Sequence, residues 1–333
     1  MTNIKDIAKL AGISKSTVSR LINKNGYVKP ETKKRILAVM EEMNFRPNMF
    51  AKGMRTNRSF SIGILFPDLS NPFFAEWYKV IDSISKEKGY LNYICITDPE
   101  GLTEENRVED LLARHIDGFI FFSYMKKEKL LQQFVKISKH TPVICCDAQS
   151  ANGELSYIFA DGEKGTFEAT EYLVRCGKKQ IAYVKGPAKF AVTANRLSGY
   201  KNALIANGRP VDKNLIFEGD FSLGSGYQAA AYFMELSEPP DAIITATDYM
   251  ALGVLNYLKN AGYAVPGDVA VCGFDDLHFA KNAEPSLTTI KLPIEEMARE
   301  TILSLIDLIE GNKPYPFQKK YNCELVIRNS TNN

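Results

Sequence analysis

The six residues Lys15 to Arg20, KSTVSR, set a lysine, an arginine and three hydroxyls side by side. An arginine carries a planar fork that can grip guanine O6 and N7 together, a contact worth about 1–3 kcal/mol of base discrimination, and a lysine reaches the same acceptors with less geometry. Arg20 and Lys15 are therefore candidate readers of base edges. Ser14, Thr17 and Asn23 suit phosphate oxygens, which fix register without reading sequence.

A second chemistry is available at Asp147 and Asp275, each of which closes an apolar run, PVICCD and VAVCGFD. Carboxylates at the carboxyl ends of strands stand where open α/β sheets hold their ligands. Catalytic motifs are missing from this picture. GSGYQA, residues 224–229, fits G-x-G-x-x-A but follows a stretch broken by the polar residues Asp220 and Ser222 and not a buried strand, and a lone match of that kind is weak. There is no G-x-S-x-G, no Walker loop and no H-E-x-x-H. Six cysteines without a C-x-x-C pair and three scattered histidines offer no metal-ligand spacing. Cys95, Cys145, Cys146 and Cys272 lie in apolar runs and read as small buried hydrophobes. No catalytic residue, metal or cofactor is expected.

Presenting Lys15, Ser16 and Arg20 requires a helix with one inward face. Ile4, Ile7, Ala8 and Ala11 fall at i, i+3, i+4 and i+7, and Gly12 ends that helix. Ser14 can cap a second helix, in which Val18, Leu21 and Ile22 face inward while Lys15, Ser16, Ser19 and Arg20 face out. Two short helices around a glycine turn make a helix-turn-helix, whose second helix fits a DNA major groove. Pro30 opens a third helix whose stripe, Ile36, Val39, Met40 and Met43, closes a small core. Arg46-Pro47-Asn48 breaks it, and the following MFAKGMRTNR is too short to be a stable helix in isolation. Up to Ser59 there are 13 basic and four acidic side chains, a surplus of nine, whereas the remaining 28 basic and 35 acidic residues carry a deficit of seven. A basic head on an acidic body is the footprint of a phosphate-binding module joined to something that does not bind phosphate backbones.

From Phe60 the texture changes to short apolar runs separated by helical stretches: SIGILFP, LNYICITD, GFIFFS and PVICCD, then SYIFAD, QIAYVKG, LIFEGD, DAIITAT and VAVCGFDD. Such alternation argues for parallel sheets covered on both faces. The expected fold is α/β, two doubly wound parallel-sheet subdomains behind an all-α helix-turn-helix headpiece, with the ligand in the cleft between the sheets. No apolar run approaches the roughly 18 residues of a membrane span. The opening MTNIKDIAKLAG has no signal-peptide character, so a cytoplasmic location is expected.

The runs DIAKLAGISKSTVSRLIN and VKPETKKRILAVMEEMNFRPN resemble the headpiece of the lactose repressor/galactose repressor family of bacterial transcription regulators. SNPFF, DAIITATDYMALG, VPGDVAVCGFDD and PSLTTIKLP resemble its effector-binding core, which has the periplasmic-binding-protein-like form. The resemblance implies a headpiece over 1–46, a hinge helix over 47–58 and a core over 59–333. Within the core it implies an N-subdomain of about 59–160 plus 291–320 and a C-subdomain of about 161–290 plus 321–333. It places Lys15, Ser16 and Arg20 on base edges, and Ala51 and Met54 in a hinge that folds against the minor groove, with Met54 where leucine is usual. In the cleft it implies effector contacts from Phe73, Arg196, Phe221 and Thr247, joined to Asp147 and Asp275. Asp248 is read as the cap of the helix YMALG, and Asp276 as a loop anchor.

The implied protein is not an enzyme but a repressor. It acts as a homodimer on a near-palindromic double-stranded operator and is controlled by a small effector, with no membrane partner. Carboxylates with an arginine suit vicinal hydroxyls, which favours a sugar or sugar derivative. A purine that stacks on phenylalanine, and a sugar receptor that binds no DNA, are the alternatives.

Overall fold

The computed structural model describes residues 3–22, 26–45, 58–97, 104–122, 128–147 and 153–332, and the chain divides into two compact units, Met1–Ser59 and Phe60–Asn333. The first unit holds α1 (Ile4–Ala11), α2 (Lys15–Ile22) and α3 (Pro30–Glu42). Asn3 starts α1 by accepting from the backbone N–H of Lys5 and Asp6, while Asp6 accepts from the N–H of Asn3 at 2.9 Å. This reciprocal pair satisfies donors that the first turn would otherwise leave without partners. Ile7, Ala8, Ala11, Val18 and Ile36 are buried together, with Leu21, Ile22, Val39, Met40 and Met43 packed around them.

In the second unit the chain runs through β1 (Ser61–Phe66), α4 (Pro72–Lys88), β2 (Leu91–Ile96), α5 (Glu104–Ala113), β3 (Gly118–Phe122), α6 (Glu128–Ile137), β4 (Val143–Cys146) and β5 (Ser156–Ala160). It continues through α7 (Gly162–Arg175), β6 (Ile181–Lys185), α8 (Ala191–Ala206), β7 (Ile216–Glu218), α9 (Leu223–Met234), β8 (Ala242–Thr245), α10 (Asp248–Asn260) and β9 (Ala270–Asp275). The last elements are β10 (Thr288–Lys291), α11 (Ile294–Glu310), β11 (Gln318–Tyr321) and β12 (Glu324–Val326).

Two six-stranded sheets result, ordered β11-β5-β4-β3-β1-β2 and β12-β10-β9-β8-β6-β7, and only β12 is antiparallel to its neighbour. β1, β3, β4 and β8 are buried along their whole length, as strands covered on both faces must be. The edge strand β2 differs. Leu91, Ile94 and Ile96 are exposed there, and Cys95 is half-buried, in contrast to the fully buried Cys145, Cys146 and Cys272.

The chain passes between the sheets three times, after β5, after β10 and after β11. Asp161 braces two of these passages. It caps α7 through Lys164 N–H, its own N–H donates to Tyr321 O, and its Oδ2 pairs with Lys320 Nζ at 2.6 Å.

Candidate DNA-reading helix and effector cleft

On α2, Ser14 Oγ accepts from Thr17 N–H at 3.2 Å and sits within hydrogen-bond distance of the Ser16 and Thr17 hydroxyls. Val18 faces the core with no exposed surface, and that orientation leaves Lys15, Ser16 and Arg20 exposed on the opposite side. The angle between α1 and α2 is held from α3. Arg35 Nε donates to Ala11 O at 2.6 Å and Nη2 to Gly12 O at 3.3 Å, so one guanidinium collects carbonyls at the end of α1. Gly12 takes φ +61°, and a Cβ there would lie 2.7 Å from Arg35 Nη2. Sequence reading missed Arg35, because nothing in a basic helix marks which arginine turns inward. Asn23, Ala51 and Met54 lie outside the described residues.

In the second unit, α8 carries Arg196 into the space between the sheets. α8 lies backbone against backbone with α7, and a Cβ on Gly199 would meet Glu163 O at 2.1 Å. Arg196 is 3 % exposed. Its Nη1 donates to Ala246 O, and its Cζ stands 3.7 Å from the centre of the Phe274 ring. Asp147 Oδ2 and Asp275 Oδ1 approach its two terminal nitrogens at 3.9 Å each, one from each sheet. Both aspartates hold left-handed backbone at strand ends, φ +56° and φ +119°, a conformation that needs the surroundings to enforce it. Burial pushes both carboxyls above the usual carboxylate range, strongly for Asp275, and Arg196 offsets part of it. The cavity here measures about 20 Å³, and its walls include Asp147, Phe159, Gly162, Asn195, Arg196 and Phe274.

The structure thus brings Asp147, Arg196 and Asp275 together. Phe221 is not among the walls of that cavity; it is stacked on Phe190 at 5.8 Å and 15° and pressed on Gly186, where a Cβ would stand 2.1 Å from its ring. Phe73 instead turns into the aromatic core, edge-on to Phe74 and Trp77, and is 2 % exposed. Thr247 caps α10, accepting from Met250 N–H at 3.2 Å.

That assignment corrects the role expected of Asp248. The carboxylate is fully buried and ties three elements: Oδ1 accepts from Thr289 at 2.5 Å, and Oδ2 from Leu277 N–H at 2.8 Å. Burial above all pushes it up to about 7. Asp276 does anchor its loop, through Arg328 at 2.6 Å. The same loop reaches the other sheet, where His278 N–H donates to Glu76 Oε1 on α4 at 2.8 Å.

Residues 3–48 match the bacterial regulatory proteins of the lacI family, and residues 170–331 match the periplasmic binding protein-like domain. Catabolite control protein A of Priestia megaterium is 32% identical over 295 residues, 88% of each chain. The chain belongs to the lacI family. Two solved structures align over nearly all of it. The lac repressor dimer bound to operator and the anti-inducer ONPF has a TM-score of 0.84 at 27% identity, covering 99% of each chain. The transcriptional regulator CelR in complex with cellobiose has a TM-score of 0.74 at 29% identity, covering 99% of this chain and 100% of that one.

As a lacI-family member, the protein is a DNA-binding transcriptional regulator answering to a small effector. Its relatives are regulators and not enzymes. The headpiece match removes the receptor that binds no DNA. Among the described residues there is no cluster of metal-ligating side chains, and no helix is long and apolar enough to cross a membrane.

Proposed function

We propose that this regulator is a homodimeric repressor, working in the cytoplasm, whose grip on a near-palindromic operator is set by a sugar or sugar derivative bound around Arg196. Lys15, Ser16 and Arg20 read base edges. Ser14, Thr17 and Asn23 hold phosphates, and the hinge 47–58 lays Ala51 and Met54 at the minor groove. The headpiece is 1–46. The core pairs an N-subdomain of about 59–160 plus 291–320 with a C-subdomain of about 161–290 plus 321–333. A two-fold axis relating two recognition helices accounts for operator symmetry.

The observation that carries the effector reading is Arg196 held between Asp147 and Asp275, one from each sheet. Hydroxyls on adjacent carbons can bridge such a carboxylate–guanidinium set, and Phe221 offers the flat apolar face that a sugar ring uses. A cavity of about 20 Å³ has room for about one water, so admission of a sugar requires the subdomains to part. Ligand therefore couples to the geometry between them, and the relatives' complexes with operator and with sugar ligands support that coupling. The parallel Phe190–Phe221 pair favours a purine as the second reading.

A thermal-shift screen of neutral sugars, sugar phosphates and nucleobases tests the assignment, because a ligand of the folded form raises Tm. Stabilisation by a sugar in the wild type and none in Arg196→Ala is expected. Equal stabilisation in both would remove the ligand from this site.

A further inference from the structure

Asp147 and Asp275 share one cation, yet neither is hydrogen-bonded to it: 3.9 Å is a charge contact, beyond hydrogen-bond reach. Each also keeps its Oδ2 buried with no hydrogen-bond partner among the described residues. Carboxylates withdrawn from water hold their charge only where partners replace the lost hydration, and here the replacement is partial.

Among the described residues, Arg196 from α8 is the cation acting on both aspartates, and Asp248 from α10 acts on Asp275. The charge of the pair in turn reaches Cys146 beneath Asp147 on β4 and Cys323 from the passage after β11. Asp161 is a further acid of the same neighbourhood, through Cys323. Asp147 and Asp248 both push the Asp275 carboxyl upward, in addition to burial. Several acids thus crowd one guanidinium in a buried space, which disfavours ionisation of the whole set.

Resting on the reading of this cleft as the sugar site, we propose that effector binding expels a proton from the Asp147–Asp275 pair, so that the regulator's affinity for its sugar rises with pH. A sugar hydroxyl donates a hydrogen bond to Oδ2 and keeps its own proton. A hydrogen bond to the ionised form favours it, so the carboxylic acid releases its proton to solvent as the ligand seats. No covalent bond in the ligand changes. By linkage, affinity climbs by up to about tenfold per pH unit where one proton is released, then levels off once the pair is ionised in the free protein. An anionic ligand would invert the sign, because it needs the carboxyls neutral and binds more tightly in acid.

The test is calorimetric titration of the full-length protein with cellobiose, ribose and glucuronate at pH 6 and pH 8, in two buffers of different ionisation enthalpy. The proposal expects a neutral sugar to bind with a buffer-dependent heat at pH 6 that reports release of about one proton, smaller at pH 8. Asp147→Asn should lower the release. Should that variant fail to fold, the two-buffer comparison on the wild type still decides. Binding of a neutral sugar with identical heats in both buffers, or with proton uptake, overturns the coupling and leaves the site intact. Tighter binding of glucuronate at pH 8 than at pH 6 overturns it too. Absence of binding heat from all three ligands would count against the sugar site itself, and the coupling would fall with it.

Discussion

Arg196 of α8 lies with its guanidinium carbon 3.7 Å from the centre of the Phe274 ring of β9, while Asp147 and Asp275 stand 3.9 Å from its nitrogens. The cation is thereby held by a π face and two acids. Arg196→Ala leaves both acids buried without their counter-charge, and breaking such a set costs about 3–5 kcal/mol. Chemical denaturation of the core at pH 7.5 should show that loss. It should shrink in acid, where neutral carboxyls need no cation.

The bonds of Arg35 to Ala11 O and Gly12 O set the angle between the two helices of the DNA-reading motif. Arg35→Ala should lower headpiece stability by about 1.5 kcal/mol, the low end for hydrogen bonds from a charged donor, because the site is partly exposed. DNA affinity should fall by a similar factor for every duplex tested, because orientation is lost and no base contact is.

Arg20→Ala should behave in the opposite way. Losing a bidentate grip on guanine removes about 1–3 kcal/mol of discrimination at one base pair in each half-site. Competition binding with operators altered at single positions should show preference erased at that position and retained elsewhere. A uniform weakening on all sequences would assign Arg20 to phosphates.

The third carboxylate of the core gives a pH signature in the absence of any ligand. Burial holds Asp248 up at about 7 in the folded protein, against 3.8 for a solvated aspartate side chain. A raised acid stabilises the fold below its unfolded value, and that contribution is lost as pH rises through 7. Wild-type core stability should therefore fall between about pH 4 and pH 7 relative to Asp248→Asn. Parallel pH profiles of Tm for the two proteins would deny Asp248 this role.

Much of this was legible in the chain. The stripe of Ile7, Ala8, Ala11, Val18 and Ile36 defined the headpiece core, and aspartates ending apolar runs pointed to the strand ends that face the cleft. What escaped was decided by neighbours in space. Phe73 and Phe74 are adjacent and equally apolar, so sequence could not show that Phe73 joins Trp77 in the core. Phe274 alternates like any buried strand residue, and only Arg196 above it gives the ring a second task. Thr247 and Asp248 both suit a helix start, and a shift of one position decides which caps and which is buried. The Glu76–His278 link uses a backbone N–H, a donor every non-proline residue carries, across 202 positions of sequence.

In the proposed function a ligand at Arg196 and a duplex at α2 control each other. That coupling is tested most directly by measuring four dissociation constants on the full-length protein: a selected operator duplex with and without saturating sugar, and that sugar with and without saturating duplex. The account predicts that each changes the other's affinity by the same factor, as thermodynamic linkage requires. Operator affinity unmoved by a sugar that demonstrably occupies the cleft would contradict it.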